Sequence, residues 1–390
     1  MRLNIKELLI NLGVFWVALV LGLVLVESFL RAWNHSEKYN LAKYPKKLFT
    51  RESPSHLRPG FIGHFPKSEI HGRIEINSKG LRDLETSYDR KTKSLRVLVL
   101  GDSYVFGHGV EFEETYLRIL ERDLEKDVKG LLKKSIEIVK AGLPGTAPDV
   151  YLDFYNKEGY RYAPDILWVN IYLGNDIYDV QANAKNDALD RIAWWEQIDT
   201  SMVSYKGVAW LKVWLRQNFH LYSFVVDGLK SNPFVTKLLR QMDIAHGTPS
   251  PFVMDILQKE YPVWFKQKWH SFYDILDEFR SKNLRLIVSI IPIREQVNSD
   301  RLDQAIKKLG YLKKNIEVRK PNHLINRYCV TNRITCIDLL DELRSHYEKN
   351  KIPLHYDVDS HLNVEGNRVV ASIFHKWFQG YLIDTLLTDT

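Results

Sequence analysis

The period of the hydrophobic positions changes along this chain. From Leu8 to Val26 it is continuous: "LLINLGVFWVALVLGLVLV" holds 19 residues without a charge, bracketed by Glu7 and Glu27. As a helix this stretch covers about 28 Å, close to the hydrocarbon thickness of a bilayer. A cleavable signal peptide has a shorter apolar region followed by a small-x-small site. Here "ESFLRAW" follows, so residues 1–30 read as an uncleaved transmembrane anchor. Residues 31–92 read as a connector rich in Pro, Lys and His. Inside it "EIHGRIEIN" alternates apolar and polar positions before the turn-like "SKG", the pattern of a small β-hairpin or edge strand.

From residue 93 to the end, short apolar runs alternate with helical spacing. The strands are predicted at Arg96–Leu100, "SIEIVKAG", "DILWVNIYLG", "LRLIVSIIPI" and "ITCIDLL". Helices are predicted at Thr115–Leu132, over "DVYLDFYNKEGYRY", and from Val364 to Leu386. Apolar strands alternating with helices predict an α/β domain whose parallel sheet is covered on both faces. Ligand sites in such sheets lie beyond the carboxyl ends of the strands.

The alternation is interrupted by a helical, aromatic-rich insertion at about 177–270. It contains Trp194, Trp195, Trp210, Trp214, Trp264 and Trp269. Two readings apply: a subdomain whose rings are its own core, or a cap whose rings line a substrate groove. Insertions of this size are usually functional.

Composition adds limits. The chain has 390 residues, 45% hydrophobic and 26% charged, ordinary for a large buried core. The net charge of +7 is spread along the chain and no nucleic-acid motif accompanies it, so no nucleic-acid partner is expected. A membrane surface or an acidic glycan is compatible with that charge. Arg2 and Lys6 precede the anchor; Arg31, Lys38, Lys43, Lys46 and Lys47 follow it. The local charge rule alone therefore places the body in the cytoplasm, although long domains translocate largely regardless of it. Two cysteines, Cys329 and Cys336, make neither a disulfide framework nor a metal set. They read as two buried thiols, or as one bridge in an oxidising compartment.

The candidate chemistry sits at the predicted strand ends. "RVLVLGDSYVFGHGV" ends a strand by presenting Ser103 at a strand-to-helix turn. A serine is a weak nucleophile, so it needs a base, a group that orients the base, and donors for the oxyanion. "AGLPGTA" offers the backbone N–H of Gly145, and "LGNDIYD" offers the side chain of Asn175. "HYDVDSHLNVEG" offers His361 with Asp359 and Asp357 before it. Asp102 adjoins the serine, and adjacent side chains at a turn diverge, so a structural bond to nearby backbone suits it better. Arg294 and Gln296 follow the fourth strand, and Arg294 is a candidate for binding an anionic substrate. His108 is a candidate to line the entrance. His355 and His361 lack a carboxylate-rich metal pattern, and neither metal nor cofactor is expected.

These four blocks, "GDS" at Gly101–Ser103, "LPGTA" with Gly145, "GND" at Gly174–Asp176 and "DSHLN" at Asp359–Asn363, resemble the SGNH hydrolase superfamily, also called the GDSL lipase/esterase family. The resemblance spans roughly 200 residues and implies a flavodoxin-like three-layer α/β/α fold. It implies Ser103 as nucleophile, His361 as general base, and Ser103 N–H, Gly145 N–H and Asn175 as the oxyanion hole. The family usually places the acid three residues before the histidine, where this chain has Val358. Asp359, at minus two as in related carbohydrate O-acetyltransferases, takes that part, with Asp357 in reserve. With the anchor and "IEINSKGLRD", the chain is similar to bacterial anchored members linked to cell-surface glycans. That implies a membrane-anchored, extracytoplasmic esterase or O-acetyltransferase acting on an acylated carbohydrate. A lipid acylhydrolase and a non-catalytic glycan-binding or envelope scaffold protein are the alternatives.

Overall fold

The structure is a computed structural model. It describes residues 5–32, 48, 57–65, 70–90, 94–131, 135–180, 215, 219–222, 224–225, 254–357 and 359–388. The chain divides into two compact units, Met1–Lys43 with Asp199–His246, and Tyr44–Ile198 with Gly247–Thr390.

In the first unit, α1 (Ile5–Ala32) contains a span, Ile10–Ala32, of mean hydropathy 2.3. Its 23 residues rise about 34 Å as a helix, long and apolar enough to cross a membrane. Phe15, Trp16, Leu21 and Leu25 on it are exposed. Near its end the Glu27 carboxylate accepts from the backbone N–H of His220 at 3.0 Å and of Leu221 at 2.8 Å. Arg31 donates to the same carboxylate at 2.7 Å.

The second unit opens with an antiparallel pair, β1 (Ile62–His64) and β2 (Arg73–Glu75). A five-stranded parallel sheet follows: β3 (Ser94–Gly101), β4 (Ser135–Gly142), β5 (Ile166–Tyr172), β6 (Arg285–Ile291) and β7 (Thr335–Asp338). Among the described residues, the helices of this unit are α2 (Ser103–Phe106), α3 (Tyr116–Leu131), α4 (Pro148–Lys157), α5 (Asp176–Asp179), α6 (Val263–Arg280), α7 (Arg294–Val297), α8 (Ser299–Leu309), α9 (Lys320–Thr331), α10 (Leu340–Asn350) and α11 (Val364–Thr388). The spatial order of the sheet is β4-β3-β5-β6-β7, the flavodoxin-like order, whose switch point lies between β3 and β5.

Side-chain alternation explains the three layers. Val99 and Trp168 are partners across β3 and β5 and share a face. There the Trp168 ring meets Phe374 of α11 at 4.7 Å, and Phe374 meets Tyr116 of α3 at 5.7 Å. Leu98, one residue earlier, points to the other face. That face carries α4, then α6 and α9, where Tyr273 stacks on Tyr328 at 4.9 Å. Helices α8, α9 and α10 stand out poorly in the sequence because their apolar stripes are thin among charged positions.

Of the insertion, Trp194, Trp195, Trp210 and Trp214 lie outside the described residues. Trp269 is buried in the α/β core and Trp264 is exposed. Both belong to α6, which packs beside α4. Cys329 and Cys336 are free thiols; a hydrogen bond to Cys329 and burial hold the Cys336 thiol protonated.

Two consecutive residues, Arg82 and Asp83, fasten their segment to the α/β domain from inside it. Asp83 accepts from the backbone N–H of Lys140 on edge strand β4 at 2.9 Å, and from its buried ammonium at 2.9 Å. Glu121 shares that ammonium at 2.8 Å. Asp83 thus covers the sheet edge and completes a buried charge cluster. Arg82 donates to the carbonyls of Phe106 (3.1 Å), Gly107 (2.6 Å), Val110 (2.8 Å) and Arg73 (2.8 Å).

Candidate active site

Strand β3 ends at Gly101, and one turn of helix, α2, begins at Ser103. Asp102 caps that turn by accepting from the N–H of Tyr104 at 2.8 Å through Oδ1, while its Oδ2 lies 3.4 Å from Ser103 Oγ. Burial pushes the Asp102 pKa up to about 6. The turn lies directly on β4: a Cβ on Gly142 would stand 2.2 Å from the backbone N of Phe106. That close approach lets a one-turn helix pack at the switch point and hold Ser103 there.

The histidine arrives from the loop before α11. An isolated bridge pairs His355 with Leu362, and the N–H of Tyr356 donates to the His361 carbonyl at 3.0 Å. Two tyrosines tie this loop to the serine segment. Tyr104 Oη donates to the Ser360 carbonyl at 2.9 Å, and Tyr356 Oη to the Gly109 carbonyl at 2.7 Å. The result places Ser103 Oγ 2.6 Å from His361 Nε2. On the other side of the ring, His361 Nδ1 lies 2.5 Å from Asp359 Oδ1. The carboxylate fixes the tautomer: Nδ1 carries the proton and Nε2 is free to accept from the serine.

Asp359 reaches that position from only two residues away because the same oxygen accepts the His361 backbone N–H at 2.9 Å, an Asx-type turn. Asp357 does not join them. Its side chain is 76% exposed and pairs with Arg301.

The donors expected for an oxyanion are partly in place. Gly145 has φ +71°, with open space where a Cβ would sit. The N–H groups of Ser103 and Gly145 have no partner among the described residues. Asn175 follows β5 at the N-terminus of α5. Its Nδ2 donates to the Thr146 carbonyl at 3.2 Å and Asp179 at 3.4 Å, so the side chain is held by the loop that carries Gly145. Asp176 is fully buried and accepts from Tyr151 Oη at 2.8 Å and Tyr172 N–H at 2.9 Å, which fixes the turn at Asn175.

Two expectations change in the structure. Arg294 is engaged by protein groups: it pairs with Glu295 and donates to the carbonyls of Tyr356 at 3.2 Å and Asp357 at 3.0 Å. A guanidinium matches converging carbonyls well, and here it braces the loop that carries His361. The His108 side chain is 0% exposed rather than at an entrance, with Nε2 3.5 Å from Asp359 Oδ2. Gln296 is also internal, donating to the Val318 carbonyl at 2.6 Å and Asn322 at 2.7 Å. Arg82 is the residue that motif reasoning missed. The signal was its place in "NSKGLRD", beside an acid and ahead of the serine strand.

Donor atoms of His108, Asp359 and His361 lie within 4.8 Å of one another, a spacing that suits a metal ion. Here both nitrogens of His361 and one oxygen of Asp359 are engaged in the hydrogen-bonded chain to Ser103. The arrangement can move a proton from serine to imidazole.

His355 lies behind this loop. Burial, with the charges of Arg294 and His361, pushes its pKa down to about 3. The unfolded chain binds that proton below about pH 6.5, whereas the folded chain resists it to about pH 3. Stability supplied by a neutral His355 is therefore complete above pH 6.5 and is lost as pH falls, at up to about 1.4 kcal/mol per pH unit. Asp102 slopes the opposite way between about pH 4 and 6. His355→Gln leaves Asp102 in place, so the drop in Tm from pH 7 to pH 4.5 is expected to be smaller than in the wild type.

No family model and no curated protein matches the chain. Solved structures overlap it weakly. The acetyl xylan esterase AlAXEase covers 72% of this chain and 97% of its own, at 15% identity and a TM-score of 0.38. A member of the lipolytic protein G-D-S-L family from Veillonella parvula DSM 2008 covers 73% and 98%, at 13% identity and a TM-score of 0.36. The lipase/acylhydrolase from Enterococcus faecalis covers 73% and 96%, at 13% identity and a TM-score of 0.35. Similarity this slight leaves the chemistry to be read from the site itself.

Proposed function

We infer that the protein is a serine-dependent acyl-ester enzyme working through an acyl-Ser103 intermediate. The observation that carries this reading is the continuous chain from Ser103 Oγ to His361 Nε2 at 2.6 Å and from His361 Nδ1 to Asp359 Oδ1 at 2.5 Å. Ser103 Oγ attacks the ester carbonyl while His361 Nε2 takes its proton. The oxyanion meets the N–H groups of Ser103 and Gly145 and the Asn175 amide, which turns from Thr146. His361 then returns the proton to the leaving alcohol. Water, or a sugar hydroxyl, attacks the acyl-serine by the same proton route in reverse.

The ester we favour is a short acyl group, such as acetyl, on a cell-surface carbohydrate, with α1 as the anchor and the site outside the cytoplasm. Two features support this choice. An apolar helix keeps the enzyme beside an envelope substrate. Three residues beyond Asn175, Tyr178 meets the exposed Trp264 edge-on at 5.8 Å, and aromatic faces suit sugar rings.

Fluorophosphonate labelling of the full chain in detergent, followed by peptide mass spectrometry, tests the site. The expected adduct is on Ser103; an adduct elsewhere, or none, overturns the assignment. An isotope-labelled acetyl ester offered with glycan acceptors then separates release to water from transfer, and long-chain esters in parallel test a lipid substrate. Asn175→Ala is expected to cost about 10²–10³ in kcat, with labelling slowed in step.

A further inference from the structure

We propose that His108 is a positioning residue for Asp359, the fourth member of the chain Ser103–His361–Asp359–His108. The proposal rests on the assignment of the first three residues above.

Asp359 gives a single oxygen, Oδ1, to both the ring and the backbone of His361. How firmly the carboxylate is oriented depends also on what its second oxygen meets. The second oxygen, Oδ2, faces His108 Nε2 at 3.5 Å. That is long for a hydrogen bond, and active-site contacts of this kind tighten when substrate is bound. A proton on His108 Nε2 supplies the donor, so the ring need only be neutral. The His108 ring also lies beside the His361 ring, with centroids 4.2 Å apart.

The backbone around His108 is built to hold it. Its N–H donates to the Ser103 carbonyl at 3.0 Å, closing the loop on the nucleophile itself. Arg82 grips the carbonyls of Phe106, Gly107 and Val110 on both sides of it. Phe65 packs edge-on against the ring at 4.9 Å, leaving Asp359 on its polar side. The connector residue Arg82 is thereby linked, through His108, to the orientation of the base. Filling space alone asks for none of this polarity, and a phenyl ring would satisfy it.

The test compares full-length wild type, His108→Phe, His108→Gln, Asp359→Asn and the double variant His108→Phe/Asp359→Asn. Readouts are acetyl-ester kinetics, fluorophosphonate labelling rate and Tm. Removing one partner of a buried hydrogen bond typically costs about 10–100-fold. We expect a loss of that size in kcat for His108→Phe, with KM within about twofold and Tm little changed. His108→Gln, which keeps an N–H donor, should recover most of it. In the Asp359→Asn background the Phe substitution should add less than about twofold, because contacting residues are non-additive. His108→Leu replaces the Phe variant if that one does not fold. Wild-type kcat in His108→Phe, equal loss in Phe and Gln variants, or full additivity with Asp359→Asn would each overturn the proposal. A Ser103→Ala variant that still turns over ester would instead remove the parent assignment, so the two failures are distinguishable.

Discussion

Ser103→Ala is expected to abolish acetyl-ester turnover and fluorophosphonate labelling while leaving Tm essentially unchanged. Removing the nucleophile of a serine–histidine pair costs on the order of 10⁶ in kcat. The variant should still fold, because Asp102 caps the turn and packing on Gly142 seats it, neither of which needs the hydroxyl that bonds His361 at 2.6 Å and Asp102 at 3.4 Å. Its backbone N–H is kept, so the oxyanion donors remain intact. Residual binding of substrate with no acyl-enzyme is the expected signature, read by mass spectrometry of the intact chain after rapid quenching. Wild-type turnover in this variant would sink the nucleophile assignment.

The second large effect separates two carboxylates only two residues apart. Asp359→Asn is expected to lower kcat by about 10⁴, the size of loss seen when an asparagine forces the wrong imidazole tautomer. The amide can donate to Nδ1, which moves the proton to Nε2, the atom that must accept from Ser103. Asp357→Ala is expected to stay within about twofold of wild type, since its carboxylate meets Arg301 at the surface and surface pairs contribute little. The full-chain variants, compared by kcat and Tm, test this pair directly. Equal losses, or the larger loss in Asp357→Ala, would reverse the choice of acid.

The central strands β3, β5 and β6 were legible as nearly continuous apolar runs buried on both faces, and the edge strands β4 and β7 as shorter apolar stretches interrupted by polar residues. The predicted "SIEIVKAG" is β4 to the residue, and the predicted "DILWVNIYLG" exceeds β5 only at its ends. The candidate residues Ser103, Gly145, Asn175 and His361 were legible because each follows a strand end or precedes a helix with a marked turn composition. Helices α8 to α10 were not, because each buries only two or three large apolar side chains among polar positions, such as Leu302 and Ile306, Ile325 and Cys329, or Leu340, Leu343 and Tyr347.

Some assignments needed coordinates. In sequence, Arg294 and His108 differ little from substrate-facing residues: a cation after a strand, and an imidazole five residues past the serine. Their roles depend on which carbonyls and carboxylates the rest of the chain brings to them. Likewise Asp357 and Asp359 are equivalent by composition, and a backbone turn at His361 divides them.

What the sequence determined by itself was local: the apolar span of α1, the order of strands and helices, and the turn chemistry at each strand end. Period, run length and glycine placement act over a few residues, so they survive without the fold. The tertiary structure alone decided which groups meet across the 258 residues from Ser103 to His361. It also turned Asp359 inward and Asp357 outward, and set His108 beside Asp359 and His361. Direction and burial of a side chain are set by distant segments packing against it, and that information is carried by no short stretch of chain.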